Sequence, residues 1–241
     1  MAGFEASAEE TPFTSKFDAV QAGTAKFTAQ EKAGYDLFRG KAQCNNCHRD
    51  GGPGEDPLFT DFTAINIGSP ANPRLPFYQE DRPDGRGYVA NPAGPSYIDG
   101  GVGTFLANGP VLSHPSAVDA RWRPLAQGNF ARVQVPTLRN VAVRAPYFHN
   151  GAVPTVYHVL NSTARPTRFT RSFSTDRDAY DSALLGWKFT NITDSCADTP
   201  APAPRRVYDT TKPGRSNRGH TFGDHLSEAE RMAIIEYLKT L

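Results

Sequence analysis

A mainly α-helical domain with long irregular loops is what these 241 residues predict, and three observations carry that reading. Thr28-Ala-Gln-Glu31 and Ser227-Glu-Ala-Glu230 are capping boxes, a hydroxyl at the N-cap with a carboxylate three residues on, and each opens a segment of helical apolar spacing. Directly after the first of them comes Cys44-Asn-Asn-Cys47-His48. Its two thiols, one turn apart, can each add to a haem vinyl group, and the next residue then aims its imidazole at the iron. A helix leading into that motif and a closing helix at the far end are the plan of a cytochrome c-type haem domain.

Taken in order, residues 1–27 are polar with scattered Phe4, Phe13, Phe17 and Phe27, and read as an irregular arm anchored on the domain by those rings. The first capped helix runs from Thr28 to about Phe38 and is stopped by Gly40. Ala33, Leu37 and Phe38 form its apolar face, and Gly34 permits the close approach of another helix. The expected partner is the last helix, where Met232, Ile234, Ile235, Tyr237, Leu238 and Leu241 recur at helical spacing, with Tyr237 or Leu238 crossing at Gly34. Between the two, Gly51-Gly-Pro-Gly54, Asn72-Pro, Pro83-Asp-Gly85 and Asn91-Pro-Ala-Gly-Pro95 punctuate residues 49–130 with turns. Short helices are expected near Tyr97–Leu106 and Thr155–Leu160, and residues 197–219, rich in Pro, Arg and Ser, read as a surface loop. The economical organisation is one haem domain over 28–241 preceded by the arm at 1–27.

Composition agrees with a loop-rich protein. Hydrophobic residues make up 38%, with 21 Gly and 20 Pro, so the loops need something besides a large apolar core to pack on, and a covalent haem supplies such a surface. The net charge of +1, without a basic patch or acidic tail, argues against nucleic acid as a partner. No run approaches the roughly 18 apolar residues of a membrane span. The N-terminal residues have neither a basic nor an apolar region of a signal peptide, although c-type haem is usually attached outside the cytoplasm, so a periplasmic or extracellular location is expected. Two other readings of the motif are weaker. A zinc site would need a second ligand pair, and Cys196 stands alone; a redox dithiol belongs between a βαβ strand and helix, of which there is no sign.

Val135-Pro-Thr-Leu-Arg-Asn-Val-Ala-Val-Arg-Ala-Pro-Tyr-Phe-His-Asn-Gly151 closely resembles the segment after the second haem motif of the bacterial di-haem cytochrome c peroxidase/MauG family. Phe59-Thr-Asp-Phe62 and Asn66-Ile-Gly68 resemble that family's post-haem loop. His149-Asn-Gly-Ala-Val-Pro-Thr155 and Asn217-Arg-Gly-His220 are similar to the branch that includes the di-haem rubber oxygenases. The resemblance implies the C-terminal haem domain alone, one covalent haem c, and an arm leading from a first haem domain that this chain lacks. It also implies a redox partner protein, or a haem domain equivalent to the missing one. The face toward that domain would be apolar and a candidate homodimer face. The family's calcium ion takes a ligand from the absent domain, which leaves calcium doubtful here.

The iron's sixth ligand is the open question. The family's methionine or tyrosine falls near Thr163 in an ungapped reading, which cannot serve, and Met232 lies inside the terminal helix as core. His220 is the leading candidate: the Gly-rich stretch Arg218-Gly-His-Thr-Phe-Gly223 lets backbone approach a flat cofactor, and the resemblance implies a distal histidine there. Tyr157 is a weaker candidate, His149 is expected to hydrogen-bond structurally, and His114, His158 and His225 carry only the ordinary reading. Arg139 is expected to pair with a haem propionate, which a guanidinium matches bidentately. Trp122 and Trp187 are expected to pack rather than to relay charge. Cys44, Cys47, His48, Arg139 and His220 are thus the candidate cofactor-binding residues, with His48 and His220 on the metal. Two functions follow. Closed by two histidines, the iron can only cycle between its oxidation states, as an electron relay. With an open or labile distal position, the domain would be a peroxidase or oxygenase, and His149 or Glu228 could then be proposed as its base.

Overall fold

The computed structural model describes residues 13–52, 56–67, 81–87, 89, 94, 100–108, 122–172, 174–192, 207–212 and 215–241. The expectations for Phe4, His114 and Cys196 lie outside them.

The chain folds around two crossed helices, α2 (Ala29–Arg39) and α5 (Glu228–Leu238). Both expected capping boxes form: Thr28 accepts from the Glu31 amide and Ser227 from the Glu230 amide, each glutamate answering to the cap's own N–H. The crossing falls at Gly34, where a β-carbon would lie 2.0 Å from the Ala233 carbonyl oxygen and 2.8 Å from Cβ of Tyr237. Backbone therefore lies on backbone, as the glycine led one to expect. The core beneath is largely aromatic: Phe17, Phe38, Phe59 and Tyr237, with the aliphatic Ile234 and Ile235, are all at most 1% exposed, with Phe17 and Phe59 edge to face at 5.0 Å and Phe38 and Tyr237 at 5.3 Å.

The arm departs from expectation. It contains a short helix, α1 (Lys16–Gln21), with a capping box of its own between Ser15 and Asp18. Phe17 is fully buried and its amide donates to the Thr240 carbonyl at 2.9 Å, so this segment is part of the core. Two further short helices stand close to the expected places, α3 (Val102–Asn108) and α4 (Val156–Leu160).

The strands are short and were not foreseen. β1 (Ala64–Asn66) pairs antiparallel with β2 (Arg132–Gln134). β3 (Arg168–Arg171) is the middle of a three-stranded antiparallel sheet whose edges are β6 (Phe189–Asn191) and β7 (Val207–Asp209). A hairpin of β4 (Tyr180–Asp181) and β5 (Gly186–Trp187) lies between. β7 falls inside the stretch read as a surface loop: Val207 is buried, and Tyr208 stacks on Phe169 at 5.4 Å. Just before β3, the Pro166 carbonyl accepts from Asn217 of the loop that carries His220, at 3.0 Å. Among the described residues no helix is long and apolar enough to cross a membrane.

Candidate haem site

The motif sits where α2 ends. Gly40 caps the helix, Gln43 takes a left-handed turn (φ 55°), and Cys44–Asn46 form one 3-10 turn, from which the His48 amide donates to the Cys44 carbonyl at 2.9 Å. That turn brings both thiols and the imidazole onto one short piece of chain. Burial pushes the Cys44 thiol up to about 12 and the Cys47 thiol up as well. Both are neutral thiols at physiological pH, the opposite of the acidic thiols of redox dithiols.

His48 is oriented from behind. Its Nδ1 lies 3.1 Å from the Phe59 carbonyl, and a carbonyl can only accept, so Nδ1 carries the proton and Nε2 keeps its lone pair free. Metal-binding histidines are typically fixed in this way. Phe59 holds that carbonyl in place from a left-handed backbone position (φ 56°) with its ring wholly buried. Burial lowers the His48 pKa, and the carbonyls of Phe59 and Pro136 offset it only in part. The ring is neutral.

His220 comes to the same place from the other end of the chain. It lies in the non-regular stretch 215–221, in a left-handed conformation (φ 46°) next to Gly219 (φ 84°). Burial, and then the nearby charge of His48, bring its pKa down to about 4. Its Nδ1 is sealed from solvent and has no hydrogen-bond partner. Phe148 and Phe222 flank the ring at 6.1 and 5.1 Å. The loop closes on α4 at Gly223, where a β-carbon would lie 2.4 Å from the Leu160 carbonyl oxygen. Asn150, 1% exposed, ties the loop's start by donating to the Ser216 carbonyl at 2.8 Å. Two neutral imidazoles, one with its donor nitrogen oriented and one with an unpartnered nitrogen, have the chemistry that would hold a haem iron. Among the described residues no group of three or more His, Cys, Asp or Glu gathers to hold a bare metal ion.

Arg139 requires a correction. The carboxylate in its fork is Asp18: Nη1 and Nη2 each reach a carboxylate oxygen at 2.7 Å, while Nε donates to the Pro57 carbonyl at 2.8 Å. With its fork spent on α1 and its guanidinium over the Phe59 ring, the residue clamps the arm to the post-haem loop, and the propionate reading gives way to that.

The remaining candidates resolve into structural parts. The Tyr157 hydroxyl donates to Glu228 at 3.0 Å. His149 is exposed. The His225 Nε2 lies 3.2 Å from the Lys41 carbonyl. Trp187 donates to the Ala145 carbonyl at 3.0 Å and packs edge-on against Tyr180; Trp122 stacks on Phe105. Met232 packs against the core cluster, as expected.

His158 is buried, with Nδ1 2.6 Å from the Thr155 hydroxyl. Burial, and then the charge of Arg165, bring its pKa down from 6.5 to about 4. The unfolded chain therefore binds a proton at pH values where the folded one does not, and stability falls as pH drops from 6.5 to 4. His158→Gln should remove on the order of 3 kcal/mol of that fall, read as the difference between denaturant midpoints of the two proteins across the window. Parallel curves would contradict it.

The mainly helical fold is that of a cytochrome c-type haem domain. The chain carries the family resemblance of the MauG, di-haem peroxidase and RoxA-like cytochrome c domains. The family model described as RoxA-like, cytochrome c-like matches residues 134–170, a stretch that includes Pro136, Arg139 and Arg165. The methylamine utilization protein MauG of Paracoccus denitrificans (strain Pd 1222) is 36% identical over 153 residues, covering 63% of this chain and 32% of that protein. The cytochrome-c peroxidase IdrP2 of Denitromonas iodatirespirans is 27% identical over 134 residues, covering 56% and 31%. Among solved structures, the diheme peroxidase BthA from Burkholderia thailandensis E264 superposes with a TM-score of 0.49 at 25% identity, over 98% of this chain and 48% of that one. The chain matches about a third of the length of these curated relatives. These similarities give family-level support for a haem-binding domain of the electron-transfer and peroxidase type.

Sequence reasoning missed Arg165, Asn150 and Phe59 as supports of the site. Arg165 donates to five main-chain carbonyls around His220. Carbonyls carry no residue identity, so no motif marks their partner.

Proposed function

We propose that the chain binds one haem c covalently through Cys44 and Cys47, with His48 and His220 as axial ligands, and that it works as an electron relay. The observation that carries this is a pair of neighbouring half-buried imidazoles, His48 with its Nδ1 oriented by the Phe59 carbonyl and His220 with an enclosed Nδ1 that has no hydrogen-bond partner. Bound there, the haem supplies a one-electron couple. The chain's own residues do the rest. Phe59 holds His48 in the tautomer that leaves Nε2 free, the 215–221 loop presents His220, and the aromatic core behind Phe59 excludes water. Histidine at both axial positions leaves no site for peroxide or oxygen and favours a lower potential than His/Met ligation.

The ferric protein should then be low-spin and six-coordinate by absorption and electron paramagnetic resonance, and His220→Ala should turn it high-spin and open it to carbon monoxide once reduced. A high-spin wild-type protein would end this reading and favour a peroxidase or oxygenase, the first of which the relatives' names suggest.

The unit is a single cytochrome c-like domain over 28–241, entered by the 1–27 arm. Its partner is a redox protein or a second haem domain. Phe105, Trp122, Leu125 and Phe130 are exposed close together and offer that partner, or a second copy of the chain, an apolar face. The proposed covalent haem attachment supports a periplasmic or extracellular location.

A further inference from the structure

We propose that Arg165 is the positioning residue of the distal ligand: a single guanidinium that fixes the backbone on which His220 is presented. The inference rests on His220 as ligand and goes beyond it to what holds that ligand in place.

The loop from Arg215 to Thr221 is neither helix nor strand, so its shape is not set by a hydrogen-bond ladder. Its histidine sits in a left-handed conformation that few non-glycine residues adopt, and such positions persist only where the surroundings over-determine them. Arg165 provides that determination. Nη1 donates to the carbonyls of Asn217 at 2.6 Å and Gly219 at 2.7 Å, and Nη2 to that of His220 at 3.0 Å. On its other side the same group grips the end of α4, Nε donating to the His158 carbonyl at 2.7 Å and Nη2 to the Val159 carbonyl at 3.2 Å. One planar fork thus joins α4, which packs on the core through Val156 and Leu160, to three carbonyls of the loop, one of them His220's own. Its face lies 4.9 Å from the centre of the Phe148 ring, and Phe148 in turn packs on the His220 ring. Arg165 so controls both the backbone and one wall of the imidazole.

Only arginine has the five donors in a fixed plane that this needs; the three donors of a lysine radiate from one point and cannot span five carbonyls. Among the described residues the group makes no ion pair, and its acceptors there are all main chain, as suits a part that shapes a loop.

The test is made on the haem-loaded protein, with haem content and far-ultraviolet circular dichroism checking that each variant is folded. Arg165→Gln removes the fork, and Arg165→Lys keeps the charge and loses the fork. Both should lower the ratio of six-coordinate low-spin to high-spin ferric haem by about tenfold or more, since several hydrogen bonds to a charged donor hold the loop. Added imidazole should restore the low-spin spectrum, because the site is intact and only its ligand has moved. Should glutamine cost the fold, lysine carries the test. Spectra like the wild type's in either folded variant would overturn the proposal. His220→Ala, measured alongside, separates the two failures: if it alone turns high-spin, the ligand stands and Arg165 does not position it. If it stays low-spin, His220 is not the ligand and both readings fall.

Discussion

Gly34→Ala should destabilise the protein by about 3 kcal/mol or more, although alanine is the better helix former by about 1 kcal/mol. The two effects oppose one another, and their sizes decide the outcome. A β-carbon at Gly34 meets the Ala233 carbonyl oxygen at 2.0 Å and Tyr237 Cβ at 2.8 Å, and neither belongs to a flexible side-chain end that could swing aside. Relief requires α2 and α5 to move apart, and every aromatic contact beneath them, from Phe38 to Tyr237, lengthens with that motion. Because α2 runs directly into Cys44, the haem motif shifts as well. Denaturant unfolding should show the loss, with Gly128→Ala as control: a β-carbon there meets nothing within 4 Å. A Gly34→Ala protein as stable as the wild type would mean that the helices have another register open to them.

That crossing was legible in the residues because a glycine on the apolar face of a capped helix has few other uses. The haem motif and both capping boxes were legible for a similar reason: their chemistry is local, and spacing alone defines it. Ser15-Lys-Phe-Asp18 has the same form, yet α1 went unread because its six residues are too few for an apolar period to show. β7 was hidden in a stretch whose composition says loop, and its three residues are worth pairing because β3 and the Phe169 ring, distant in sequence, meet them. Arg139 shows the other limit. That it would hold a carboxylate bidentately followed from its chemistry, but which carboxylate did not, since Asp18 is 121 residues away in sequence. His220 lay between these cases: the Gly-rich loop marked the position, while the Arg165 clamp that shapes it had no signature at all.

Breaking the Asp18–Arg139 pair should cost about 3 kcal/mol, the range found when one partner of a largely buried ion pair is removed. Both side chains are about nine-tenths enclosed, at 14% and 13% exposure, and the pair is bidentate. Arg139→Met would leave the Asp18 carboxylate enclosed, with only Ser15 to hold it; Asp18→Asn would leave the guanidinium with Ser15 and the Pro57 carbonyl. Burial pushes the Asp18 carboxyl up, but the hydrogen bonds from Arg139 and Ser15 outweigh it, and its pKa lies below the usual carboxylate value. The stabilisation is therefore complete above the unfolded carboxylate pKa and is lost as pH falls through the lower folded one. In the Arg139→Met protein that acid loss should vanish together with the stability. A double-mutant cycle read at neutral pH and again in acid would show it: the coupling energy should be large at the first and shrink at the second. If the cycle shows no coupling while Arg139→Met alters the haem spectrum, the guanidinium serves the cofactor, and the clamp between α1 and the post-haem loop is not its role. The pair lies one ring behind the carbonyl that orients His48, with Arg139 5.3 Å from the centre of Phe59. Loss of the clamp should accordingly loosen Phe59 before it unfolds the helices, and the first sign on titrating to low pH should be a change in the haem spectrum ahead of the loss of helix.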